Sequence, residues 1–246
     1  MQLLLPPSET KRDGGAEGSS LDLGLLSFPG LTAPRRRMLA AVRVLAQNRT
    51  RMASALKLGP TQLFEVDRNR ALRRSETMPA IERYTGVLYD ALDAASLSPS
   101  AREFAAAHVM IQSALFGLVR AGDPIPAYRL SHDSRLPGLP LGAGWRREIA
   151  RELDGMPGLM LDLRSEAYVA LGPAPRRAWF LRVVTEDADG SRRALNHFNK
   201  KGKGEFTRAI LEAGIDHGSV GSLLDWAAAS GIRLSRGADQ ELALVV

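Results

Sequence analysis

The chain has 246 residues, 45% of them hydrophobic, with no cysteine, a net charge of +6 and a pI near 10.0. That length permits one large domain or two small ones, and the absence of cysteine excludes disulfides, thiolate metal sites and thiol catalysis. No apolar run approaches the roughly 20 residues of a membrane helix, and Met1–Leu5 lacks the apolar core of a signal peptide. The cytoplasm is therefore the expected compartment, with no membrane partner. A basic surface suits phosphate, on nucleic acid or on a nucleotide-sized ligand, although a genome-wide bias toward arginine would raise the pI equally.

In chain order, Leu3-Leu4-Leu5 reads as a short buried strand ended by Pro6-Pro7, neither of which donates a ladder hydrogen bond. Arg12–Gly30 is rich in Gly, Ser, Asp and Glu and reads as a mobile loop. Thr32 is expected to cap a helix running to about Gln47, with Pro34 in its first turn and Met38, Ala41, Val42 and Leu45 on one face. Two further helices are expected near Arg51–Leu58 and Thr61–Arg74. Ser98 or Ser100 is placed to cap a helix through Ala107, followed by a strand over Val109–Leu115. A helix over Trp145–Leu153 leads to a strand at Leu159–Leu163. Strands near Ala178–Thr185 and Arg192–Phe198 flank Asp187-Ala188-Asp189-Gly190, a hairpin turn. Helices from Gly204 to Ala213 and from Ser219 to Ser230 precede a last strand, Glu241–Val246. The alternation predicts one mixed α/β (α+β) domain over residues 1–246, its mixed sheet flanked by helices.

Four segments could carry chemistry. Ser8-Glu9-Thr10-Lys11 follows the first strand, where open α/β sheets meet their ligands. Ser8, Thr10 and Lys11 suit an anion there, although an ordinary solvated turn has the same composition, and no glycine-rich P-loop is present. Leu115–Leu130 concentrates Arg120, Asp123, Tyr128 and Arg129 among glycines and prolines. In one reading Asp123 pairs with Arg120 or Arg129 to brace the loop; in the other an arginine clamps a ligand beside a Tyr128 wall. Arg164-Ser165-Glu166 follows a strand as Ser8–Lys11 does, and both clusters share one sheet edge if those strands are parallel neighbours. Ser165 is equally a helix cap. Asn199-Lys200-Lys201-Gly202-Lys203-Gly204 reads as a strand-to-helix turn whose glycines admit a phosphate and whose lysines neutralise it. The four histidines have no metal-ligand spacing, so neither a metal nor a cofactor is expected.

Taken in order, these segments resemble the YaaA family of bacterial peroxide-stress proteins along almost the whole chain. The likeness is carried by Pro6–Lys11, Tyr84-Thr85-Gly86-Val87-Leu88-Tyr89, Ser113–Arg120, Asp123, Tyr128-Arg129-Leu130, Trp145, Leu163–Tyr168 and Lys200–Gly204. The resemblance implies a compact fold with a basic cleft, binding of double-stranded DNA, and a role in limiting free iron and oxidative DNA damage. By motif position it implies Lys11, Arg120, Arg129, Lys200, Lys201 and Lys203 as the cleft cations. The chain departs from the family pattern at Phe116, where tyrosine is frequent, at Ala121, where proline is frequent, and at Lys203, where arginine is frequent.

Two function classes follow. A DNA-binding stress protein reads backbone and shape through these cations, with the hydroxyls of Ser8, Thr10, Tyr128 and Ser165 as further phosphate contacts. The alternative is an enzyme or binding protein for a phosphorylated small molecule or nucleotide in the same cleft, with Glu9, Asp123 or Glu166 as acid or base. Glu9 is the residue that sets them apart, since a carboxylate repels phosphate.

Overall fold

Leu3, Leu4 and Leu5 are wholly buried, because the strand they form has parallel neighbours on both sides. An uninterrupted apolar run is what such a strand requires. The computed structural model describes residues 1–186, 192–194 and 199–246. Its strands are β1 (Gln2–Leu5), β2 (Thr77–Pro79), β3 (Val109–Ser113), β4 (Gly117–Arg120), β5 (Pro124–Pro126), β6 (Met160–Asp162), β7 (Trp179–Glu186), β8 (Arg192–Ala194), β9 (Leu234–Arg236) and β10 (Glu241–Val245). Its α-helices are α1 (Thr32–Ala46), α2 (Arg49–Ala55), α3 (Phe64–Ala71), α4 (Ala80–Arg83), α5 (Val87–Leu92), α6 (Pro99–His108), α7 (Leu141–Asp154), α8 (Glu166–Leu171), α9 (Asn199–Ala213) and α10 (Val220–Ala229). Among these no helix is long and apolar enough to cross a membrane.

The fold is mixed α/β. The main sheet runs β4-β3-β1-β6-β7-β10-β9, while β2 and β5 form a separate two-stranded ribbon. Strands β1, β3, β6, β7 and β10 are parallel, and β4 and β9 run antiparallel at the two edges. On β7, Val184 pairs with Val245 on one side and Ala194 on the other. Strand β8 therefore continues the β6 side of β7 beyond Asp162 and overhangs the C-terminal edge of the sheet. The hairpin pairing expected from the sequence is present; its turn, 187–191, and residues 195–198 lie outside the described residues.

Two groups of helices sandwich the sheet: α9 packs against α5 and α6, and α7 against α1 and α8. Strand β3 is entered from α6 and β6 from α7, on either side of the first strand. The sheet thus reverses its winding direction at β1, and the edge beyond the C-terminal ends of β3, β1 and β6 is the topological switch point where open α/β sheets bind ligands.

Several local expectations are corrected. Thr32 does not cap α1; the 3-10 turn Pro29–Leu31 runs directly into the helix, and no side chain caps it. Ser98, not Ser100, caps α6, its hydroxyl accepting from the Ala101 N–H. The strand expected over Val109–Leu115 stops at Ser113, and the chain returns as β4. The segment 12–30 has no helix or strand before its 3-10 turn, yet it is fastened at several points. The buried Arg83 guanidinium donates to the carbonyls of Arg12, Gly14, Glu76 and Ile125. The buried Arg35 guanidinium donates to those of Ser27, Phe116 and Leu118.

Candidate functional site

The C-terminal edge of the sheet is built from the ends of three parallel strands. Beyond β1, Lys11 turns back into the protein and is buried. Its amine donates to the carbonyls of Ser8 at 2.9 Å and Glu9 at 3.1 Å, and stands 4.1 Å from the centroid of the Tyr128 ring. Burial in these surroundings lowers the lysine from 10.5 to about 7; the nearby Glu65 and Glu9 carboxylates oppose the shift, and Arg129 and Arg68 assist it. Ser8 and Thr10 hydroxyls lie 3.3 Å apart, and the Thr85 hydroxyl donates to Thr10 at 3.0 Å. Gly86 makes this turn possible: its φ is +93°, and a Cβ there would stand 3.3 Å from both Ser8 Oγ and Thr10 Oγ1.

Beneath Lys11 lies a chain of buried hydroxyls. Ser113 Oγ accepts the N–H groups of Leu115 at 3.1 Å and Phe116 at 2.9 Å, which occupies both its lone pairs. Its proton is thereby directed to the Tyr128 oxygen at 2.7 Å, and the Tyr128 proton to Tyr84 at 2.7 Å. All three groups are buried, and desolvation raises both tyrosines above the ordinary phenol value. The relay fixes the ring on which the Lys11 amine rests.

Arg129 forms a second wall. Its backbone is clamped by Asn69 of α3: the Arg129 N–H donates to Asn69 Oδ1 at 2.9 Å, and Asn69 Nδ2 donates to the Arg129 carbonyl at 2.7 Å. The guanidinium is buried, and its Nη2 donates to Glu9 Oε2 at 2.7 Å. Tyr168 of α8 lies against His132, with ring centroids 5.5 Å apart.

Beyond β6, Arg164 is fully buried and neutralised. It donates to both carboxylate oxygens of Asp162, to Gln112 Oε1 and to the Gly172 carbonyl. Its own carbonyl faces the Lys203 amine at 3.4 Å. Ser165 takes the N-cap position of α8 but makes no side-chain capping bond, and Glu166 is an exposed carboxylate 3.8 Å from Arg182.

Lys200, Lys201 and Lys203 do not form the expected strand-to-helix turn; Asn199–Glu205 is the start of α9. The glycines serve helix packing rather than phosphate approach. A Cβ on Gly204 would stand 2.2 Å from the Leu88 carbonyl oxygen, and one on Gly202 would stand 3.0 Å from Val246 Cγ1. Lys203 is buried and desolvation lowers it to about 8, whereas Lys200 and Lys201 are exposed.

A family model described as Peroxide stress protein YaaA matches residues 1–231. A UPF0246 protein of Corynebacterium efficiens is 42% identical over 255 residues, covering 100% of both chains. The chain belongs to the YaaA family. A UPF0246 protein of Corynebacterium glutamicum strain R is 45% identical over 85% of this chain and 84% of its own, and one of Streptomyces coelicolor is 42% identical over 87% and 84%. The chain is thus related to the proteins of peroxide stress.

The YaaA-like motifs read from the sequence divide by position. Pro6–Lys11, Tyr84–Tyr89, Ser113–Phe116, Tyr128–Leu130 and Leu163–Tyr168 meet at the C-terminal edge of the sheet. Arg120 and Asp123 stand at the opposite edge. Arg120 pairs in register with Met110 at the start of β3, and its guanidinium donates to Gln2 Oε1 at 2.7 Å. Asp123 accepts from the Arg120 N–H and from both the N–H and the hydroxyl of Ser27, which is the bracing role with different partners. A cavity of about 550 Å³, lined by Asp13, Phe64, Asp67, Arg68, Arg74 and Glu76 among others, contains none of the predicted residues. Asn69 was missed by sequence reasoning, and its only signal is a polar residue on the buried side of α3.

Proposed function

We propose that this protein serves the peroxide-stress response by binding double-stranded DNA, with the phosphate backbone laid along the C-terminal edge of the sheet. The observation that carries this reading is the gathering of cations from distant parts of the chain around one edge. Lys11 and Arg129 are linked through Glu9, and Lys203 reaches the segment after β6. Exposed Lys200 and Lys201 at the start of α9 provide direct phosphate contacts, together with the hydroxyls of Ser8, Thr10 and Ser165. The buried Lys11, Arg129 and Lys203 contribute potential rather than contact. Such an interface reads backbone and shape, not base sequence. Coverage of the duplex limits oxidative DNA damage locally. The effect on free iron is assigned an indirect route, since the chain has no cysteine and its four histidines lack metal-ligand spacing. Fluorescence anisotropy with duplexes of unrelated sequence tests the reading: similar affinity for all supports it, and binding to none overturns it.

A second reading is favoured by one observation: Lys11 and Arg129 are buried beside Glu9 rather than strung along a surface. Cations, hydroxyls and carboxylates converging at a switch point suit a phosphorylated small molecule or nucleotide, bound or turned over there. In this reading Lys11 and Arg129 hold the anion, and Glu9 or Glu166 serves as acid or base. A thermal-shift screen against nucleotides and sugar phosphates tests it, with no stabilisation by any of them as the contrary result.

A further inference from the structure

We infer that the Nε–Nη2 edge of Arg129 is the receptor for a small ligand bearing an oxyanion with two oxygens in one plane, and that Glu9 occupies that place as a tethered stand-in. The inference rests on the small-molecule reading above and adds to it the geometry of the ligand and a gate.

Arg129 is held ready by its surroundings. Asn69 fixes its backbone from both sides, at 2.9 Å and 2.7 Å, and the side chain is 8% exposed. A guanidinium presents Nε–H and one Nη2–H side by side, spaced to grip both oxygens of a carboxylate or a phosphate. Here that edge is half used. Nη2 donates to Glu9 Oε2 at 2.7 Å, while Nε is buried with no acceptor. Buried donors are nearly always satisfied, so an unused one beside a single-oxygen contact marks an incomplete partner.

Glu9 has the properties of a displaceable occupant. Its side chain is 59% exposed, so its carboxylate reaches Arg129 from the solvent side. Its backbone carbonyl is tied to the Lys11 amine at 3.1 Å, which anchors the tether. When Glu9 swings away, Arg129 loses its carboxylate partner while standing close enough to Lys11 to interact with it electrostatically; Arg68 keeps its own partners, Glu65 at 2.9 Å and Asp13 at 2.5 Å. Only an anion replaces Glu9 without leaving the buried Arg129 guanidinium uncompensated. The shared chemistry is a carboxylate or phosphate group on a small molecule.

The test titrates inorganic phosphate and, separately, acetate into the full chain, following amide shifts by NMR, for wild type, Glu9→Gln, Glu9→Asp and Arg129→Lys. Glu9→Asp keeps the charge but is one methylene too short to reach. If the gate is real, both Glu9 variants bind the better probe about tenfold more tightly than wild type, the factor expected when the open state is roughly a tenth populated. Arg129→Lys loses the binding, and the preferred probe tells carboxylate from phosphate. Tightening in Glu9→Gln alone reflects repulsion at a distance and overturns the gate while leaving the small-molecule reading intact. Equal affinity in wild type and both Glu9 variants does the same. Absence of binding by either probe in every variant overturns both. Should Arg129→Lys fail to fold, the Glu9 pair still decides.

Discussion

Lys11 sits with its amine spent on two carbonyls and one aromatic face, an arrangement that burial makes costly for a charged group. Its value of about 7 in the folded protein lies below the 10.5 of an ordinary lysine. Between those two pH values the unfolded chain therefore holds more protons than the folded one, so stability attributable to Lys11 rises with pH across the window. Chemical denaturation of wild type and Lys11→Met from pH 6 to 10 checks this. The difference should move in favour of wild type above pH 7, with a slope of up to about 1.4 kcal/mol per pH unit; a pH-independent difference would contradict it. Asn69 supplies the second prediction at this scale. Asn69→Ala strips both partners from the buried backbone of Arg129, and should cost about 2–4 kcal/mol, seen as a lowered midpoint in urea. The residue types of the site were legible in the sequence: Ser8, Lys11, Tyr128, Arg129 and Ser165 all fall at one edge. Their partners were not, because a hydrogen bond from Asn69 to Arg129 spans sixty positions and leaves no local pattern.

At the level of elements, α9 is where local reading and structure part most clearly. Two glycines among three lysines look like a loop, since glycine costs helix stability and its flexibility suits a phosphate turn. The helix tolerates them because two neighbouring elements approach too closely for a side chain: α5 at Gly204, and β7 with the chain terminus at Gly202. Gly204→Ala should therefore destabilise the protein by about 1–3 kcal/mol despite the higher helix propensity of alanine. Lys200→Ala, one turn earlier and exposed, should stay within about 0.5 kcal/mol of wild type. Thermal melts of the two variants check the contrast, and a stabilised Gly204→Ala would refute the packing account. Strand β4 was hidden for a related reason. It has four residues, follows β3 after three, and turns on a glycine with φ +72° against the Trp145 ring. A run this short gives no period to read.

For the whole molecule, the long periodic segments α1, α6, α7, α10 and β10 were legible, as was the mixed α/β class. Topology was legible only in part. The parallel pairing of β1 with β6 meets the condition under which Ser8–Lys11 and Arg164–Glu166 share one edge, a condition the sequence left open. The antiparallel return of β4 carries Arg120 and Asp123 to the other edge, and strand direction is not written in composition. What remains at the C-terminal edge is a set of buried cations behind two exposed lysines, on a chain of net charge +6.

The most direct measurement is the affinity for a duplex as a function of salt, for wild type and for Lys200→Ala/Lys201→Ala. Each phosphate neutralised by a cation releases counterions, so log affinity falls linearly with log salt in proportion to the number of contacts. The account predicts a linear fall for wild type and a slope shallower by about 2 in the double variant, with folding unchanged. Binding whose slope is the same in both proteins, or a wild type that binds no duplex at about 50 mM salt, where phosphate contacts are strong, would contradict it.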